Sequence, residues 1–115
     1  MNIKPEISWS DFEKIDMRVG TIIEALVFEK AKNPAYQLKI DFGETLGIKK
    51  SSAQITHLYL PEDLIGKQII AVVNFPKKQI ANFMSECLVL GIVGLSKDVM
   101  LLTSDLPSMN GLSVG

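Results

Sequence analysis

The chain has little of what most enzymatic chemistry needs. Its 115 residues include one cysteine, Cys87, one histidine, His57, and one tryptophan, Trp9. A lone thiol excludes an intramolecular disulfide and suits a reducing, cytoplasmic setting. One His and one Cys cannot build a zinc site of the usual spacing, so no metal is expected. No GxxxxGK[ST] loop is present to cradle a phosphate, and no cofactor is expected. His57 has no partner nucleophile or orienting acid in the pattern and reads as a surface or edge-strand residue. Adjacent Glu62 and Asp63 suit a helix N-terminus better than paired acid–base work, and Cys87 opens an apolar strand as a buried, inert thiol. An enzyme reading has no residues to stand on. Neither sign of charge dominates: 12 Lys+Arg against 13 Asp+Glu leave a net charge of −1. That excludes a generally basic, histone-like nucleic-acid binder but leaves room for a local basic patch. Uncharged runs are short, the tail Leu106–Gly115 falling far below the roughly 18 residues that span a bilayer. Met1–Glu6 lacks the apolar core of a signal peptide. The expectation is a soluble protein without membrane insertion.

What is present is a globular composition, 47% hydrophobic and 22% charged, in a length suited to one domain, residues 1–115. Ser10-Asp-Phe-Glu13 reads as a capping box opening a short helix. Met17–Phe28 predicts a long strand with Val19, Thr21, Ile23, Ala25 and Val27 on one face, and Gly20 suggests a bulge or sharp coil. Tyr36, Leu38, Ile40 and Phe42 alternate with polar residues in a half-buried strand that ends at Gly43. Ile48–Thr56 is a weaker strand. Pro61–Gly66 carries the signals of one or two helical turns. Ile69–Phe75 is a continuous apolar run ended by Pro76. Cys87–Val93 and Val99–Leu102 are the last strands, joined by the turn 94–98. Five or six short strands with a small helix between the third and fourth predict a mainly β protein, a five-stranded OB-fold barrel with a short N-terminal helix.

Charge is unevenly spread. Residues 45–80 hold Lys49, Lys50, Lys67, Lys77 and Lys78 against Glu62 and Asp63, a balance of +3 inside a chain of net −1. Ser51, Ser52 and Gln54 flank the first lysine pair, and Gln79 and Asn82 come after the second. These side chains suit phosphate and sugar contacts, although a pair of solvated loops reads equally well. Phe75, Ile80, Phe83 and Met84 surround Lys77-Lys78. They suit base stacking, adaptable binding of unfolded peptide, or plugging of the barrel end.

Asn74-Phe-Pro-Lys-Lys-Gln-Ile-Ala-Asn-Phe-Met-Ser-Glu-Cys-Leu-Val-Leu-Gly91 resembles the signature of the tRNA-binding domain found alone and at the ends of some aminoacyl-tRNA synthetases. Asp16-Met-Arg-Val-Gly-Thr-Ile22 looks like that family's first strand. Ser51–Thr56 and Val72–Pro76 are most similar to its stand-alone, CsaA-type branch. The resemblance runs from about Phe12 to Asn110-Gly111. It implies an OB-fold and a homodimer held by extensions at 1–15 and 105–115, which would bury Trp9, Phe12, Leu106 and Met109. It further implies a chaperone that binds unfolded or precursor polypeptides in protein export, with SecA among its partners, and a wider family that binds tRNA by shape. By position the family's basic loop falls on Lys77 and Lys78 and its serine on Ser85, while Asn82 departs from the family's usual glycine.

The residues support two leading readings, beside a third in which the domain is a scaffold that binds another protein and neither ligand. In one, Phe75, Ile80, Phe83 and Met84 hold extended apolar segments with lysines at the rim, and release needs no ATP. In the other, Lys49, Lys50, Ser52, Lys77, Lys78, Asn82 and Ser85 from two subunits grip a tRNA backbone through phosphates and 2′-hydroxyls.

Overall fold

The computed structural model of the chain describes residues 2–115; Met1, the first residue of the expected N-terminal extension, lies outside them. An eleven-residue strand, β1 (Met17–Val27), is the spine. It pairs on one edge with β2 (Tyr36–Asp41) and on the other with β4 (Gln68–Val72). β3 (Ile48–Ala53) continues beyond β2, and β7 (Leu88–Val89) beyond β4. The order β3-β2-β1-β4-β7, antiparallel throughout, curls into a nearly closed five-stranded, OB-like barrel. Two hairpins complete it: β5 (Lys78–Ile80) with β6 (Phe83–Ser85), and β8 (Gly91–Val93) with β9 (Val99–Leu101). The helices are single short segments, α1 (Trp9–Glu13) and α2 (Pro61–Leu64).

The alternating segment 36–42 behaves as its pattern dictates: Leu38, Ile40 and Phe42 are fully buried and join Ile22, Leu64 and Ile69 in the barrel core. The pattern of β1 is different from expectation. A bulge between Ile22 and Glu24 shifts the register against β2, so Ile22 is the core residue while Ile23 is 43% exposed. Of the residues expected to share one face, Val19 and Ala25 are buried, whereas Val27 is exposed. Gly20 lies before the bulge and serves close packing instead. A Cβ there would lie 2.6 Å from Ile40 Cγ2 and 2.7 Å from the Phe42 ring.

Three further expectations shift. The helix cap is Ser8, not Ser10: Ser8 Oγ accepts the Asp11 N–H at 3.2 Å, and the Asp11 carboxylate accepts the Ser8 N–H at 3.1 Å. The apolar run from Ile69 stops pairing at Val72. Beyond it, the Val73 N–H donates to the Asp16 carbonyl, and the Asn74 side chain clasps the Lys14 carbonyl and the Asp16 N–H. Finally, residues 78–85 form a hairpin where a loop is expected.

The tail is only partly an extension. Leu112 O accepts from Val19, while Gly111 and Val114 donate to Val19 and Met17, so residues 111–114 cover the start of β1. Leu106 and Met109 stay 71% and 73% exposed, Trp9 is 87% exposed, and α1 contributes no buried residue.

Candidate ligand-binding groove

The barrel closes between β3 and the segment leading into β7, and side chains carry much of that closure. Glu86 N–H donates to the Lys50 carbonyl at 2.8 Å, and the Glu86 carboxylate accepts the Lys50 N–H at 2.9 Å. Ser85 Oγ accepts the Ser52 N–H at 3.2 Å, and Ser51 Oγ donates to the Cys87 carbonyl at 3.0 Å. Lys77 Nζ lies 3.5 Å from the other Glu86 oxygen. Partial burial pushes the Glu86 carboxyl upward, but the Lys50 N–H and the Lys77 ammonium outweigh it and hold the group below its ordinary value. Burial pushes the Cys87 thiol up to about 11, against the opposing Ser51 hydrogen bond. A thiol so disfavoured as thiolate is inert.

Beyond this seam the barrel wall opens into a groove of about 640 Å³. One wall is formed by residues 52–55, at the end of β3 and just past it; the other is the run 87–91 with Val93 and Val99. Phe75 and Pro76 stand at the rim, with Lys78, Ile80 and Ser85 from the hairpin. The remaining lining comes from the loop after β1, including Ala31, Lys32 and Asn33. Most of it is apolar. Its charged members are Lys32 and Lys78, with no carboxylate.

A second apolar cluster positions the hairpin. Phe83 packs with Phe28 and Ala35, flanked by Ala31 and Ile80. The Phe28 and Phe83 rings are 5.4 Å apart and tilted by 58°, a favourable edge-to-face arrangement. Lys50 Nζ sits 5.2 Å from the Phe83 ring centre, within cation–π range. Phe83 is 8% exposed and absent from the groove lining. Its place is therefore the cluster that anchors the hairpin, not a pocket wall.

The expected site residues thus separate. Ser52, Phe75, Lys78, Ile80 and Ser85 meet at the groove, and Met84 is half-buried outside its lining. Ser85 has its hydroxyl engaged within the seam. Lys49 shares the β3 side of buried Ser51, while Lys50 takes the opposite side, so the two lysines do not face one way. Lys77 is offset by Glu86. Asn82 is exposed at the hairpin tip beside Ala81, whose φ is +50°. Residues 31–33, Gln54, the run 88–91 and Val93 also line the groove, although residue type alone does not mark them as a site. The uncharged run from Cys87 shows a strand in the sequence, but nothing in it shows which edge lacks a neighbour.

The barrel is that of a known family: its model, "Putative tRNA binding domain", matches residues 17–112, and the chain belongs to that family. Among curated relatives, the methionine–tRNA ligase of Chlorobium limicola is 35% identical over 94 residues. Those residues are 82% of this chain but 13% of the ligase, so the chain spans only a small part of that relative. Among solved structures, the chaperone CsaA of Bacillus anthracis is 51% identical with a TM-score of 0.92. The CsaA chaperone of Picrophilus torridus is 54% identical with a TM-score of 0.90. Each covers 96% of this chain and is itself covered over 100% of its length.

Proposed function

We propose that the protein is a non-enzymatic, homodimeric chaperone of the CsaA kind, which holds unfolded or precursor polypeptides in the groove between β3 and the strand 88–93. The observation that carries this reading is the groove itself: apolar, bordered by exposed Phe75, and containing lysines but no carboxylate. Full-length similarity to two CsaA chaperones supports it. Burial of apolar side chains supplies affinity at roughly 25 cal/mol per Å², and release occurs by mass action or competition. A role in protein export, with SecA as a partner, and dimerisation through Trp9, Phe12, Leu106 and Met109 belong to the same proposal. Those four side chains stand exposed in the single chain. The test is a titration of labelled, reduced and carboxymethylated α-lactalbumin, a permanently unfolded chain. Saturable binding that weakens in Phe75→Ser supports the reading, and no binding contradicts it.

A second ligand, the tRNA backbone, is favoured by the family match and by Lys78. Lys78 is exposed and forms no ion pair among the described residues. Affinity from phosphate contacts falls steeply with salt, by roughly 0.7 to 0.9 log units per log unit of salt for each neutralised phosphate. A tRNA titration at two salt concentrations measures it.

A further inference from the structure

The strand that forms one groove wall has an unused edge. Leu90 N–H donates to the Ile70 carbonyl at 2.9 Å, and Leu90 O accepts from Leu102 N–H at 3.2 Å. At the far end Gly94 N–H donates to the Asp98 carbonyl at 2.6 Å. In an antiparallel ladder alternate residues turn both backbone groups to the same side. Residues 88, 90, 92 and 94 are thus turned towards β4 and β9. The backbone groups of Val89, Gly91 and Val93 face the other way, where no strand pairs with them among the described residues. The same alternation holds across the groove. Lys50 and Ser52 turn their N–H groups outward to Glu86 and Ser85, and Gln54, next in that phase, has no partner for its N–H or carbonyl. Val89, Gly91, Val93 and Gln54 all line the groove.

Proteins usually blunt such an edge with charge, proline or a covering element. From Cys87 to Ser96 the chain has no charged residue and no proline, and an open groove lies beside the edge. We propose that the groove takes its occupant by strand addition: an extended polypeptide pairs its backbone with Val89, Gly91 and Val93. Alternate side chains of that segment meet the apolar lining, and acidic residues flanking it meet Lys32 and Lys78. The inference rests on the chaperone reading and deepens it. Main-chain pairing gives affinity that tolerates many sequences, as recognition of unrelated unfolded chains requires. It also excludes an occupant that has already formed a helix, whose backbone groups are spent internally.

The test leaves the protein unaltered. The probe is a fluorescein-labelled peptide of alternating valine and threonine between terminal aspartates, long enough to span residues 89–93. It is compared with two versions, one N-methylated on the odd positions and one on the even. A docked strand presents only one set of amides to the edge. One methylated version therefore loses affinity by about tenfold or more, while the other stays within about twofold of the parent. Equal loss in both versions, or loss in neither, overturns strand addition. If the parent peptide fails to bind while carboxymethylated α-lactalbumin does, strand addition falls alone. If neither binds, the chaperone reading falls with it.

Discussion

Two parts of one barrel wall are built differently. Along β3-β2-β1-β4 the backbone ladder is nearly continuous, interrupted by one bulge, and encloses the fully buried residues Ile22, Leu38, Ile40, Phe42 and Ile69. Between β3 and β7 the ladder gives way to a carboxylate, two serines and one backbone hydrogen bond, and then to open backbone edges. The first part makes the domain stable; the second leaves backbone groups and apolar groove surface uncovered. Segments that act in binding are generally drawn from the less stable part of a fold, and here that part is a short arc of one barrel.

The contrast can be broken most forcefully in the ladder. Leu38→Ala, at a fully buried site, is expected to cost about 2–5 kcal/mol in a urea titration. Phe83→Ala empties the anchoring cluster, and hydrogen exchange should show faster opening in residues 78–85 than in β2. Uniform acceleration throughout the barrel would instead make the two clusters a single unit. Gly20→Ala forces a methyl against Ile40 and Phe42 and is expected to cost about 1–3 kcal/mol.

The seam should respond more mildly. Ser85→Ala leaves the Ser52 N–H without its acceptor and is expected to cost about 1 kcal/mol. Glu86 adds a pH dependence whose sign is set by its lowered pKa. Its contribution to stability is present above the ordinary glutamate value and is lost as pH falls towards and through the lowered one. Glu86→Gln should therefore flatten part of the acid side of the stability–pH curve. The smallest change is at the hairpin tip. Ala81→Gly relieves a left-handed backbone at φ +50° and should stabilise by no more than about 1 kcal/mol in thermal unfolding.

The order of strands and the small helix were legible because hydrophobic alternation in residues 36–42 and the turn signals at Pro61 and Gly66 are local. The phase of β1 was not. A bulge after Ile22 reverses which residues face inward, and its cause lies in pairing with β2. The hairpin 78–85 was hidden because its apolar residues serve the cluster with Phe28 and Ala35, remote in sequence. For the same reason Phe83 looked like a contact residue and is buried. Phe75, Ile80, Lys78, Ser52 and Ser85 stood out through their types and the family resemblance, and they meet at one groove. The unpaired edge at Val89, Gly91 and Val93 depends on which strands fail to meet, and local pattern does not contain that.

The most direct test of the groove as a polypeptide site compares two variants against two ligands by fluorescence anisotropy, on protein whose unfolding transition is unchanged. Phe75→Ser removes an exposed rim side chain and should weaken carboxymethylated α-lactalbumin binding by about tenfold, leaving tRNA binding nearly intact. Lys77→Glu with Lys78→Glu should abolish tRNA binding, while costing the unfolded chain only the smaller contribution of its acidic flanks to Lys78. Unfolded chain that binds Phe75→Ser as tightly as the parent protein would contradict the assignment of the groove.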